Sequence, residues 1–175
     1  MIEGELVRLR TVSHSDLRDL YTVTHDYRDP GAYMPISLTS EVDYRREFDK
    51  TGFWQNYCGI LIIENKNKEL VGEVGLFKCA RYLDGRELYY RVFSGYRGKG
   101  YAFDALSLLI SYFFKSSSMN RLQAVTIKGN EVSEHILEKC GFKFEGTMRG
   151  ARYFNGNIVD LNLYSFLRSD FSRLL

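Results

Sequence analysis

The sequence predicts an α+β fold in which a mixed, mostly antiparallel sheet carries flanking helices. Two observations predict it. Seven short runs have the two-residue alternation or the β-branched apolar content of strands, and one longer run, Ala102 to Phe113, keeps its apolar residues at helical spacing. A length of 175 residues predicts one domain, 1–175, around one core. With 45% apolar and 26% charged residues the composition is that of a globular chain and excludes a disordered one.

Taken in order, Glu5 to Arg10 alternates as a strand, and Ser13 with Asp16 three residues on has the capping-box form that opens a helix. The stretch Asp29 to Thr39 holds both prolines and reads as a loop at a substrate rim, and a second short helix covers Ser40 to Lys50. Tyr57 to Glu64 and Leu70 to Ala80 are strand-like runs around the polar turn Asn65 to Glu69, which is a hairpin signal. In Glu87 to Phe93 the alternation puts Leu88, Tyr90 and Val92 on one face and Glu87, Tyr89 and Arg91 on the other. Past a glycine-rich loop comes the clearest helix, with Ala105, Leu106, Leu109, Ile110 and Phe113 on its apolar side. Arg121 to Ile127 then reads as a strand, Glu131 to Lys139 as a short helix ended by Gly141, and Phe142 to Arg149 and Ile158 to Leu167 as two closing strands.

Charge and cysteine content narrow the function classes. A formal charge of +2 gives no field that would gather nucleic acid or a membrane surface. Cys58, Cys79 and Cys140 are odd in number and widely spaced, which fits neither a disulfide framework nor a zinc ligand set and predicts buried free thiols. No run approaches the roughly 18 apolar residues of a membrane span. The opening Met1 to Glu5 lacks the basic head and apolar middle of a signal peptide, so the expectation is a cytoplasmic protein without metal.

The segment that carries chemistry is Arg97, Gly98, Lys99, Gly100, Tyr101, Ala102, between a strand and the amphipathic helix. A helix start leaves several amides without intrahelical partners and adds the positive end of the helix dipole, which together suit phosphate oxygens. Gly98 and Gly100 let a ligand approach the backbone with no Cβ in the way, and Arg97 and Lys99 add charge. A P-loop is excluded because Gly100 is followed by Tyr101 and Ala102 rather than Lys and Ser or Thr. A dinucleotide fingerprint fails for want of its third glycine and distant acidic residue.

These residues resemble the signature of the Gcn5-related N-acetyltransferases (GNAT): Gln or Arg, two residues, Gly, one residue, then Gly or Ala, filled here by Arg97, Gly100 and Ala102. Asn130, Ser133, Leu137, Glu138, Lys139, Gly141 and Phe142 resemble the family's next helix and the turn after it. Gly4 to Leu20, Glu145 to Arg149 and Asp160 to Arg168 resemble the branch of the ribosomal-protein alanine N-acetyltransferases RimJ and RimL. The resemblance implies the layered α/β/α GNAT fold, with about seven strands and a splayed parallel pair formed by Glu87 to Phe93 and Arg121 to Ile127.

It also implies acetyl-CoA as donor and CoA as product, with the pyrophosphate on the amides of Arg97, Gly98, Lys99, Gly100, Tyr101 and Ala102. The pantetheine would lie along Val92 and Phe93, with Asn130 touching the cofactor. The acceptor would be a primary amine, on a peptide N-terminus or a small molecule, attacking directly in a ternary complex. Only about 10% of an α-amine of pKa near 8 is neutral at pH 7. A base is therefore useful, and Glu87 is its candidate, acting through water; the alternative is an ordinary strand-edge carboxylate beside Arg86 or Arg91. Where many relatives carry a tyrosine that protonates the departing sulfur, this chain has Leu137. Ser133 is the candidate in its place, or else a helix hydroxyl bonding its own backbone. Tyr164 is the reserve acid, or else a core residue.

Two further classes stay open at this stage. An acyl-CoA-binding sensor without transfer activity is kept alive by Leu137. A nucleic-acid module, suggested by the aromatic content, is opposed by the charge balance. An exposed final strand could pair with a copy of itself, giving a homodimer.

Overall fold

The computed structural model describes residues 1–26, 33 and 38–173. Of the expected rim loop Asp29 to Thr39, therefore, only Tyr33, Leu38 and Thr39 lie among the described residues. The strands are β1 (Ile2–Glu3), β2 (Val7–Arg10), β3 (Trp54–Gln55), β4 (Cys58–Asn65), β5 (Leu70–Lys78), β6 (Gly85–Val92), β7 (Arg121–Ile127), β8 (Lys143–Phe154) and β9 (Asn157–Leu167). The helices are α1 (Leu17–Thr24), α2 (Glu41–Thr51), α3 (Tyr101–Ser116), α4 (Glu131–Lys139) and α5 (Arg168–Phe171). One sheet runs β1-β2-β4-β5-β6-β7-β9-β8 with β3 added against β4, and its pairs are antiparallel except β6 with β7.

Alternation along the strands divides the interior into two layers. On β4, Leu61 and Ile63 face a main core with Leu106, Leu109 and Phe113 of α3 and Leu137 of α4. Ile62 between them faces a second core with Leu17 and Leu20 of α1 and Phe48 of α2. The sheet is thus covered on both faces, as the expected layering requires.

Local signals set most of the boundaries. Asp16 accepts from the Ser13 amide at 2.7 Å, but the first turn it caps is the short 3-10 segment His14–Asp16, so α1 begins at Leu17. Ser40 caps α2 by accepting from the Asp43 amide at 3.1 Å. The β4–β5 turn is held by Asn65, whose Oδ1 accepts from the amides of Asn67 and Glu69 at 3.0 Å each.

Several expectations change. The closing hairpin runs beyond Arg149 to a tip at Asn155 and Gly156, both at positive φ, and β8 is carried past Gly146 and Gly150 by shifts of register. The final long strand, β9, is paired on both sides, so the free edge belongs to β8. The three cysteines are free but half-buried rather than buried. Among the described residues no helix is long and apolar enough to cross a membrane, and no cluster of side chains is arranged to hold a metal.

Candidate active site

The parallel pair β6–β7 is hydrogen-bonded only from Gly85 opposite Arg121 to Glu87 opposite Gln123. Beyond that point β6 stays with β5 as far as Val92 opposite Gly72, and β7 stays with β9 as far as Ile127 opposite Leu161. The two strands therefore part in a V, and the edges they turn toward each other have no partner strand. The gap is the floor of a cleft of about 830 Å³ bounded by β6, β7, the start of α3 and α4.

Gly98 (φ +75°) and Gly100 (φ +81°) hold left-handed conformations in the loop that enters α3. Gly100 is the N-cap and supplies no side-chain bond, so the first-turn amides lack the usual cap. The Asp104 carboxylate, which could have turned back on them, accepts instead from the amides of Leu6 and Val7 at 2.8 and 2.9 Å. Open space surrounds the position a Cβ would take on Gly98. Uncapped amides at the positive end of a 16-residue helix, opening on a cleft, fit a pyrophosphate.

Of the residues singled out from sequence, Glu87, Val92, Arg97, Gly98, Gly100, Tyr101, Ala102, Asn130 and Ser133 line this cleft. Glu87 accepts from Gln123 Nε2 through Oε2 at 2.9 Å. Arg97 donates from Nε to Val92 O at 3.0 Å and so ties the loop to the end of β6. Asn130 caps α4 by accepting from the Ser133 amide at 3.3 Å.

Three nominated residues sit elsewhere. Phe93 is 7% exposed in the second core and its amide donates to Val71 O, so neither group faces the gap. Lys99 lies outside the lining residues, with its ammonium over the Tyr96 ring at 5.4 Å. Tyr164 is 3% exposed in the main core, packed on Phe144, and burial raises its pKa. Its hydroxyl lies outside the cleft lining, which removes it as the reserve acid.

Two further groups bear on the cleft. On the Glu87 face, Tyr89 and Arg91 converge on buried Glu73, the hydroxyl at 2.7 Å and the guanidinium at 3.0 Å. Burial and the Glu73 charge push the Tyr89 hydroxyl upward. On the other face, the Tyr90 hydroxyl reaches across the gap to 2.6 Å from Ser133 Oγ. Tyr33, from the expected rim loop, donates to Gly129 O at 3.0 Å at the mouth of the cleft.

A family profile described as the acetyltransferase (GNAT) domain matches residues 7–143. The chain is 34% identical over 101 residues to the uncharacterised N-acetyltransferase YoaA of Bacillus subtilis, a match spanning 58% of this chain and 57% of that protein. It is 32% identical over 129 residues to the putative ribosomal N-acetyltransferase YdaF of Bacillus subtilis, covering 73% of this chain and 67% of that protein. In three dimensions it superposes on a spermidine N-acetyltransferase of Vibrio cholerae in complex with CoA and spermine, with a TM-score of 0.84 at 21% identity. That match covers 95% of this chain and 98% of the other.

Proposed function

The chain belongs to the GNAT acetyltransferase family, and on that premise we propose that it transfers the acetyl group of acetyl-CoA to a primary amine by direct attack within a ternary complex. The observation that carries this reading is the parting of β6 and β7 in front of an uncapped helix start, which makes a phosphate cradle and an open strand edge continuous in one cleft. In this reading residues 1–175 act as one domain, since a single sheet joins the first described strand to the last.

Bound acetyl-CoA supplies an activated acyl carbon with a thiol as its leaving group. The amides of Gly98, Gly100, Tyr101 and Ala102 hold the pyrophosphate, and Arg97 adds positive charge beside it. The edge of β6 at Val92 guides the pantetheine arm, and Asn130 closes that side from the start of α4. Glu87, from the opposite face, takes the proton that the amine loses on attack, through water. Ser133 offers a hydrogen bond to the departing sulfur.

For the acceptor, we favour a peptide N-terminal α-amine or a compact monoamine, in line with the RimJ/RimL-like branch. Among the described residues Glu87 is the one acidic side chain lining the cleft, against Arg91, Arg97, Lys139 and Arg152. A polyamine needs several carboxylates along its length, so this lining disfavours one. We place the protein in a reducing, cytoplasmic setting because its cysteines are free. Neither a nucleic acid nor a membrane belongs to this reading. A homodimer would use the β8 edge, where Phe144 and Tyr153 are exposed.

Leu137, fully buried at the cleft wall, favours the second reading, a sensor that binds acyl-CoA without transferring it. Thiol release from acetyl-CoA with a panel of amines separates the two. Release above the no-amine rate with at least one acceptor supports transfer; binding of the cofactor with no release across the panel overturns it.

A further inference from the structure

Ser133 is held from two directions. Its amide is capped by Asn130, and its Oγ lies 2.6 Å from the hydroxyl of Tyr90, which stands on β6 across the gap. Two serines of α3 give their hydrogen to the preceding turn: Ser107 donates to Phe103 O at 2.9 Å and Ser116 to Tyr112 O at 2.6 Å. Ser133 makes no such bond: its hydroxyl is paired with Tyr90 instead, while Gly129 O, four residues back, accepts from Tyr33. Leu137, one turn further along α4, supplies no polar atom.

A serine hydroxyl has one hydrogen and two lone pairs. When Tyr90 donates to Ser133 Oγ, the serine hydrogen is free to point into the cleft. The other polarity would turn that hydrogen toward Tyr90 and away from any ligand. The Tyr90 hydroxyl also lies 3.4 Å from Ser133 O, a longer contact than the 2.6 Å to Oγ, and burial pushes its phenol up to about 12, so it keeps its proton over the neutral range and is able to donate.

We propose that Tyr90 is a positioning residue for acetyl transfer, its hydroxyl donating to Ser133 Oγ and so directing the Ser133 hydrogen at the leaving sulfur. The inference rests on the acetyltransferase reading above and deepens it. As the bond from amine nitrogen to carbonyl carbon forms and the carbon–sulfur bond breaks, the electron pair goes to sulfur and is met by the Ser133 hydrogen bond. The proton lost by the amine passes through water to Glu87 and is then returned through water to the sulfur, so that CoA leaves as the thiol and Glu87 is again a carboxylate. The tyrosine hydroxyl thus acts from the strand, at the site where the helix offers Leu137.

The test needs no knowledge of the acceptor. The thiol of bound CoA is titrated by its ultraviolet absorbance in the wild type, Tyr90→Phe, Ser133→Ala and the double variant. A donor at the sulfur favours the thiolate and lowers its pKa. The expected result is the lowest thiol pKa in the wild type and a shared, higher value in all three variants, because two groups acting as one unit are not additive. With the best amine of the panel, Tyr90→Phe lowers kcat by about tenfold to a hundredfold, with KM for acetyl-CoA held within about twofold. A wild-type thiol pKa in Tyr90→Phe, or additive losses in the double variant, overturns the proposal. CoA that fails to raise the wild-type melting point overturns the acetyltransferase reading itself. A CoA shift with an unchanged thiol titration overturns only the role of Tyr90.

Discussion

Glu87→Gln removes the proposed base while preserving its surroundings. The new amide carbonyl can accept the bond that Gln123 Nε2 now gives to Oε2 at 2.9 Å, so the melting point should stay close to that of the wild type. A positioned general base is worth about 10²- to 10⁴-fold, which sets the expected loss of kcat near pH 7. The pH dependence makes the prediction specific. An α-amine of pKa about 8 is about 10% neutral at pH 7 and about 90% neutral at pH 9. Wild-type enzyme, able to accept the proton during attack, should respond weakly to this change. The variant depends on amine that is already neutral and should gain about ninefold. The ratio of wild-type to variant turnover, followed by thiol release at saturating acetyl-CoA, should therefore narrow by about an order of magnitude between pH 7 and pH 9. Parallel profiles, with the same fractional loss at both ends, would refute the assignment of Glu87 as base.

Asp16→Asn tests the junction between β2 and α1. Burial alone would raise the Asp16 pKa, but bonds from Arg10 and Ser13 outweigh it and hold the carboxyl at about 2 against its usual 3.8. A depressed pKa contributes stability above the unfolded value and loses it as pH falls through the folded one. The variant should be less stable by about 2 kcal/mol at pH 7, or about 4–8 °C in melting point. That gap should be full above about pH 4 and close as pH falls through about 2; a pH-independent gap would show that the charge of Asp16 is not its source. Gly85→Ala acts where the V of β6 and β7 closes. An added Cβ would stand 3.0 Å from Arg121 C and closer still to its O. The variant should lose about 1–3 kcal/mol in urea unfolding and bind acetyl-CoA more weakly, because the strand angle sets the width of the cleft. An unchanged midpoint would mean that the pair yields without cost.

The phosphate cradle was legible because its chemistry is local. Two glycines at a strand-to-helix junction are visible in the letters, and the structure puts both at positive φ in front of the uncapped α3. Asn130 and Ser133 were reached through the family resemblance instead, and the structure sets both in the opening turn of α4. Tyr90 was not legible. Period-two alternation placed it with Leu88 and Val92 on the face turned to the core, which is its side of the sheet. What alternation does not register is that β7 leaves β6 after Glu87, so that the ring stands at an open edge with its hydroxyl in the cleft.

Phe93 shows the reverse limit. One residue beyond Val92 on the same strand run, it falls by the same alternation on the Glu87 side, and the structure carries its side chain to the second core and its amide to β5. The length of β8 was hidden by Gly146 and Gly150, which weaken a strand pattern that the paired backbone nevertheless continues. The Asn155-Gly156 dipeptide at the hairpin tip was the available signal for its true end.

The central claim is that the cleft between β6 and β7 binds acetyl-CoA, and the melting point of the protein with saturating acetyl-CoA, CoA or ATP tests it most directly. A ligand at about 100 times its dissociation constant adds about 2.7 kcal/mol, which for a chain of this size is a rise of about 5–10 °C. The account predicts that rise with both acetyl-CoA and CoA and none of similar size with ATP, since the strand edge at Val92 is read by the pantetheine arm that ATP lacks. A melting point unmoved by either CoA species would contradict it.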